Sequence, residues 1–493
     1  MRPADVVLVS EGAYPFVTGG LSHWIQQLAS GMPDLSFEVV TLVAGREERA
    51  HRYALPRNVR ALHVIDILDA PATAPRAARE PDPLLLSSVR RLATAGARPG
   101  AGGSPFADLL AALERAGGAS AELLASHDAW SVLVEAYRER APRQSFLDFF
   151  WTCRAMLPPL LSCIAADLPP AAVYHAASTG YAGLLGALAA RRHGARFILT
   201  EHGSYTRERE VELARADWIH VPPAETSPWV PRAEFFKEWW ADYFELLASH
   251  AYAHADLILA LNEVGTGLQA RAGAPPAKLR AIPNGVDVAR FAPLRRRHDW
   301  SDRPFRVGFV GRVVPVKDVK TFLRAIATAR QEIPALEAVL VGPTDEVPLY
   351  LRECEDLVAL LEIGDIARFT GPADVREYLG QMDVLVLTSL TEAQPLVVLE
   401  AFAAGVPVVC SDVGGCRELV LGGSAPGDRD IGPSGILTRA ARPAETAAAL
   451  VALWRDPLLH AALRDAAIAR AAGFYDEKRL LAAYRRVYAG KEP

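Results

Sequence analysis

The chain has 493 residues, 53 basic against 58 acidic side chains, a formal net charge of −5 and 51% hydrophobic residues. That is a globular composition with chain enough for two or more full-sized cores, which excludes a small disulfide-stapled fold. Mild acidity without a block of like charges argues against a protein that holds nucleic acid by neutralising phosphates.

In chain order, short apolar runs alternate with helix-period segments, the pattern of parallel sheets with crossover helices. The first half offers strands at 5–10, 37–44, 59–65, 171–176, 196–202, 256–261 and 278–283; the second at 305–311, 337–342, 367–371, 383–389, 407–411 and 435–438. Two doubly wound units in succession are expected. The N-terminal MRPADVVLVSEG breaks its apolar run too early for a signal peptide and reads as a first strand. Residues 70–105, rich in Pro, Ala and Gly, interrupt the first unit as an insertion, followed by helices to about 161. The uncharged stretch 171–190 is about long enough to span a membrane, but His175 and a Ser-Thr-Gly break make it a strand followed by a helix. In 234–256, Phe236, Trp239, Trp240, Tyr243 and Leu247 recur at helical spacing and are expected to be core. The stretch 284–304, with turn residues, prolines and five arginines, reads as the linker.

Five cysteines, Cys153, Cys163, Cys354, Cys410 and Cys416, form no CxxC pair, so free thiols in a reducing compartment are expected. Only six basic residues are lysines, among them Lys317. Coding bias accounts for such scarcity, yet it draws the eye to a lysine inside a chemical motif.

In open parallel sheets ligands sit beyond the carboxyl ends of the strands, where helices present unpaired N–H groups to anions. Gly19 and Gly20 fall just before a helix beginning near Leu21, and RFILTEHG ends on Glu201, His202, Gly203 and Ser204. FVGRVVPVKDVK places Arg312 and Lys317 ahead of a helix opening at Asp318, where two cations and a helix dipole can converge on a diphosphate. The Walker pattern GxxxxGK[ST] is absent from the chain. LTEAQPLVVLEAFAAGVPVVCSDVGG carries Glu392 at a strand exit and Glu400 inside an apolar helix. A carboxylate there needs hydrogen-bond donors, which sugar hydroxyls supply, and Leu396 and Val397 can present amides past Pro395.

The paired glycines, the EHG, PNGVD at the crossover, GRxxxxK, and E-x7-E followed by AAGVPVV together resemble the retaining nucleotide-sugar glycosyltransferases of family 4, over nearly the whole chain. Within that family EGAYPFVTGGLSHWIQQL, TEHGSYTRERE, FFKEWW and TEAQPLVVLEAFAAGVPVVCSDVGGCREL look like the cytosolic branch that serves Pel exopolysaccharide assembly, a biofilm setting. The resemblance implies an α/β fold of the GT-B type, two facing Rossmann-like domains with a cleft between them. Residues 1–290 would form the acceptor domain with a helical insertion at about 70–160, and 291–473 the nucleotide-sugar domain; 474–493 would be a C-terminal helix open to crossing back to the first. It further implies transfer of a hexosyl or N-acetylhexosaminyl unit from a UDP-sugar to a polysaccharide acceptor, with no metal or other cofactor. Location would be cytoplasmic, reaching the inner membrane through subunits of a synthesis and export complex. Position by position, Arg312 and Lys317 would clamp the diphosphate, Glu400 the ribose, and Glu392 the sugar hydroxyls, aided by Gln394 and the amides of Leu396 and Val397. Main chain from Phe369 to Gly371 would face the base, His202 the sugar near its reacting carbon, and Gly19 and Gly20 the phosphates.

Two departures stand out. Many members carry a glycine after the clamp lysine and a Phe-Gly pair after the first glutamate, where this chain has Asp318 and Gln394-Pro395. Asp428-Arg429-Asp430 matches the DxD pattern of metal-using transferases of another fold, but in a loop of turn residues it is expected to be solvated. A nucleotide-sugar 2-epimerase of the same fold and a non-catalytic scaffold of an export complex are the alternative readings.

Overall fold

Every one of the apolar runs named above forms a strand. The computed structural model describes residues 3–45, 49–68, 87, 127–215, 232–296 and 299–493. The expected insertion at 70–105 lies outside the described residues except for Ser87. The chain divides into two units, Met1–Leu259 with Gly267–Arg280, and Ala260–Thr266 with Ala281–Pro493.

The first unit is built on β1 (Ala4–Glu11), β2 (Phe37–Val43), β3 (Val59–Asp66), β4 (Ala171–Ala176), β5 (Arg196–Glu201), β6 (Leu257–Ala260) and β7 (Leu279–Ala281), in the order β3-β2-β1-β4-β5-β6-β7. The second is built on β8 (Phe305–Val310), β9 (Leu336–Val341), β10 (Ala367–Gly371), β11 (Val384–Leu387), β12 (Val408–Ser411) and β13 (Gly435–Thr438), in the order β10-β9-β8-β11-β12-β13. The strand pairs of the second sheet are parallel. A strand covered by helices on both faces needs apolar residues on both, which is why β11 is an unbroken, fully buried VLVL. In each sheet the order reverses beside the central strand, between β1 and β4 and between β8 and β11. Loops leaving the carboxyl ends of those two strands part in opposite directions, and a ligand crevice opens there.

The helices follow their apolar spacing. Gly20–Gly31 buries Trp24, Ile25, Leu28 and Ala29. The stretch 171–190 resolves into β4 and helix Tyr181–His193. Helix Arg232–His254 buries Phe236, Trp239, Trp240, Tyr243 and Leu247, so these aromatics are core, as their spacing requires. Among the described residues no helix is long and apolar enough to cross a membrane. The five cysteines are free and buried.

The expected linker is more structured than its composition suggests. Asp287 caps helix Val288–Phe291 by accepting the Arg290 N–H, and Phe291 packs into the core that holds Leu387 and Phe402. One anchor and one cap are too few residues for periodicity to register. The final helix Glu477–Tyr488 falls in the second unit, where the Glu477 N–H donates to the Val286 carbonyl at 3.0 Å.

Candidate functional site

In the second unit, the loop after β8 and the loop after β11 are stitched together. Thr388 Oγ1 donates to the carbonyls of Lys317 (3.1 Å) and Asp318 (2.9 Å), and the Leu390 N–H donates to Val316 O at 2.9 Å. This brings two of the sequence-predicted residues into contact: Lys317 Nζ lies 2.5 Å from Glu392 Oε1, which also accepts from Ser389 Oγ at 2.6 Å. Both partners are largely buried, with side-chain exposures of 20% and 11%. Arg312 is not in that contact. Its Nη1 bonds Glu346 at 2.6 and 2.7 Å, and each side chain is 47% exposed. An ion pair this open to water contributes at most about 1 kcal/mol. Arg312 is therefore cheaply released to an anionic ligand at the crevice.

The first departure from the family pattern has a conformational cause. Asp318 sits at φ 45°, ψ 54°, the left-handed region that glycine enters freely and aspartate tolerates better than most residues. It also caps helix Val319–Arg330, its Oδ1 accepting the Thr321 N–H at 3.3 Å. Asp318→Gly is expected to leave stability within about 1 kcal/mol, since relief at φ 45° offsets the lost cap, whereas Asp318→Val loses both and should cost about 2 kcal/mol or more. Urea unfolding of the two variants checks this; equal losses would contradict it.

Helix Leu396–Ala404 starts at Pro395 with no side-chain cap, so the N–H groups of Leu396 and Val397 point out of its first turn. One turn on, Glu400 has no hydrogen-bond donor among the described residues, and burial pushes its carboxyl up to about 7, with Arg290 opposing that shift and Asp374 adding to it. At the end of β10, the Gly371 carbonyl accepts the Gly342 N–H at 3.1 Å. Gly342, at φ +144°, must be glycine, because a Cβ there would lie 2.2 Å from Gly311 O. The ends of β8, β9 and β10 close tightly in this way beside Phe369 to Gly371.

The Gln394 side chain turns away from the loop's open side, leaving only its main chain to face a ligand. The residue is 6% exposed and its Oε1 accepts the Asn284 N–H at 2.6 Å. The Ala393 carbonyl accepts from Asn262 Nδ2 at 2.7 Å and from the Gly415 N–H at 2.9 Å. Asn262, Asn284, Ser389 and Glu346 were not singled out from sequence. The signal for Asn284 was its place in PNGVD, and for Ser389 its place at the end of DVLVLTS.

In the first unit, the helix that opens at Gly19–Gly20 and the EHG loop meet. The Trp24 ring lies 4.6 Å from the His202 ring and 5.3 Å from His175, both edge-on. Burial pushes each imidazole down to about 3, so both are neutral at pH 7. His175 is satisfied by Thr200 Oγ1 at 2.7 Å; His202 Nε2 is inaccessible and meets no partner among the described residues. Glu201 turns inward to Tyr252 Oη (2.7 Å), Gln269 Nε2 (2.9 Å) and Thr179 Oγ1 (3.3 Å), and burial raises its carboxyl despite those donors. Glu11, at the end of β1, accepts from Ser178 Oγ (2.7 Å), the Ala182 N–H (2.9 Å) and Tyr205 Oη (3.2 Å). It closes the first unit's switch point, and its position at a strand exit was the signal for it in the sequence.

The Asp-Arg-Asp run is corrected in part. Asp428 is 2% exposed and pairs with Arg470, which is fully buried. All five Arg470 N–H groups are used, on Asp428 Oδ1, the carbonyls of Asp428, Val420 and Gly432, and Ser434 Oγ. A turn-rich composition hid this because the partner is 42 residues away. No group of three or more His, Cys, Asp or Glu placed to hold a metal ion occurs among the described residues.

Both units have the parallel-sheet architecture of the GT-B glycosyltransferases. The structure of Alr3699/HepE of Anabaena in complex with UDP superposes with a TM-score of 0.60 at 16% identity, covering 98% of this chain and 99% of that one. Sucrose-phosphate synthase of Thermosynechococcus elongatus gives 0.59 at 16% identity over 99% of both chains. The chain belongs to the family described as a domain of unknown function, DUF3492, whose model matches residues 4–277; residues 304–456 match the model described as Glycosyl transferases group 1. A D-inositol 3-phosphate glycosyltransferase of Kineococcus radiotolerans is 35% identical over 219 residues, 41% of this chain and 49% of that protein. The chain spans about half the length of such curated relatives.

Proposed function

We propose that the protein is a retaining glycosyltransferase that moves a hexosyl or N-acetylhexosaminyl unit from a UDP-sugar to a growing Pel-type exopolysaccharide at the cytoplasmic side of the membrane. The observation that carries this reading is the meeting of Lys317 and Glu392 across the exits of β8 and β11, with Arg312 on the same loop as Lys317 and the open helix start at Leu396 on the same loop as Glu392. The resemblance in the quoted motifs supports the Pel setting, and with it the inner-membrane partners that export would require.

In this reading the bond from the anomeric carbon to the diphosphate breaks, and its electron pair goes to the phosphate oxygen. Lys317, Arg312 and the N–H groups of the loop stabilise the charge that builds there, without a metal. The acceptor hydroxyl oxygen bonds to the anomeric carbon on the same face, and its proton passes to the departing phosphate oxygen. As the phosphate draws Lys317 away, Glu392 is freed to accept from sugar hydroxyls. Glu400 takes the ribose hydroxyls, and main chain from Phe369 to Gly371 faces the base. The resemblance adds neutral His202, with Gly19 and Gly20, from the first unit.

The test is incubation of the purified chain with UDP-glucose, UDP-N-acetylglucosamine and UDP-N-acetylgalactosamine, measuring UDP release and the anomeric configuration of the product by NMR. Release of UDP with a product that keeps the donor's α configuration is expected. An inverted product would refute retention, a 2-epimer would make the protein an epimerase, and binding without turnover would make it a scaffold.

A further inference from the structure

We infer that Asn262 and Asn284 are positioning residues that fix the direction of the Glu392–Gln394 backbone, so that its amides face the transferred sugar. The inference rests on the donor-binding reading above. Three consecutive carbonyls of this loop each meet a neighbouring segment. Glu392 O lies so close over Gly414, at φ +51°, that a Cβ there would fall 1.5 Å from it. Ala393 O accepts from Asn262 Nδ2 at 2.7 Å and from the Gly415 N–H at 2.9 Å. Gln394 O accepts from Asn284 Nδ2 at 3.3 Å, and the Gln394 side chain accepts the Asn284 N–H at 2.6 Å.

In a trans peptide the N–H points opposite to the carbonyl of the same unit. The Asn262 bond to the Ala393 carbonyl therefore aims the Gln394 N–H the other way, and the Glu392 carbonyl packed on Gly414 does the same for the Ala393 N–H. Neither meets an acceptor among the described residues. Pro395 has no N–H to add, and the open first turn at Leu396 and Val397 continues the row. The result is a set of directed donors whose missing partners are oxygens, as a sugar hydroxyl would provide.

The two asparagines are built for this task. Both belong to the second unit and each is 5% exposed. The Asn262 oxygen accepts the Gly265 N–H at 2.8 Å, which leaves its nitrogen to donate to Ala393 O. Burying such amides gains little net stability over apolar side chains of the same shape, but it dictates which way the backbone turns.

Asn262→Asp and Asn284→Asp keep volume and the acceptor atom but replace the donating nitrogen with an oxygen that repels the carbonyl; Asn284→Ala is the neutral control. Melting temperature is read for each full-length variant alone, with UDP, and with each of the three UDP-sugars above, alongside donor KM and kcat. UDP contacts Arg312, Lys317 and Glu400 in this reading, so its shift should be retained. The extra shift given by the sugar should vanish, and donor KM should rise roughly tenfold or more, as loss of one or two oriented hydrogen bonds implies. Wild-type KM with the full sugar-dependent shift would overturn the inference. So would loss of the UDP shift together with the sugar's, which would mark a general structural role. A wild-type chain that responds to UDP but to no UDP-sugar would overturn the donor reading itself.

Discussion

Replacing Lys317 with Ala should lower transfer by roughly two to three orders of magnitude, the usual effect of removing one donor from a site that stabilises developing oxyanion charge. Without a ligand, Lys317 is held by Glu392 at 2.5 Å, and Ser389 is the other side chain on that carboxylate. Lys317→Ala therefore does two things: it removes the cation proposed to meet the diphosphate, and it strands a carboxylate that is only 11% exposed. The second effect should destabilise the free protein by about 1–3 kcal/mol. The double variant Lys317→Ala, Glu392→Gln separates them, because it should regain stability in urea unfolding without regaining transfer. Lys317→Arg keeps the charge but substitutes a wide planar fork for a compact ammonium held against the largely buried Glu392. A large loss is expected here too. A fully active Lys317→Arg enzyme would return this lysine to coding bias.

Donor affinity should rise with pH through about 7, and Glu400 should be the cause. Burial holds its carboxyl up to about 7 in the free protein, against an ordinary value of 4.5. The sign follows from which form the ligand prefers. In the proposed site ribose hydroxyls donate to the ionised carboxylate, so binding there selects the deprotonated form and releases a proton from the rest. With a free-state value near 7, the deprotonated fraction, and with it the affinity for a UDP-sugar, should grow about tenfold between pH 6 and pH 8. The opposite sign applies to stability of the unliganded fold. A carboxyl raised by folding binds more protons in the native state, so its penalty grows as pH rises from 4.5 to about 7. Glu400→Gln should remove that penalty, weaken donor binding and flatten its pH dependence. Calorimetric titration of a UDP-sugar across this range decides it; an unchanged pH dependence in Glu400→Gln would exclude Glu400 as the titrating group.

Much of the second unit's crevice could be read from spacing, because its parts follow strand ends. Arg312 and Lys317 come directly after β8, and Glu392 directly after β11, so knowing where apolar runs stop was enough to nominate them. The same reasoning found the EHG loop after β5 but passed over Glu11 after β1, which stands at an equivalent exit. Gln394 misled for a definite reason. A polar residue in a ligand loop looks available, and nothing local says that Asn284, 110 residues earlier, will take its side chain inward. Asp428 misled in the same way, its partner Arg470 lying 42 residues downstream in a helix that otherwise reads as alanine-rich surface.

What the sequence determined by itself was the alternation of apolar runs and amphipathic helices. From that follow both sheets and the positions of their strand ends, since burial on two faces and helical periodicity are local demands that each segment meets alone. Pairing came from the folded chain: Lys317 meets Glu392 while Arg312 turns to Glu346, Asp318 adopts a glycine-like backbone, and Asn262 and Asn284 hold the loop between two glutamates. Hydrogen bonds and ion pairs join groups that chain distance does not order, and a side chain's partner is set by where folding brings the backbone. Composition could point to a single lysine among many arginines; only the fold shows the carboxylate that holds it.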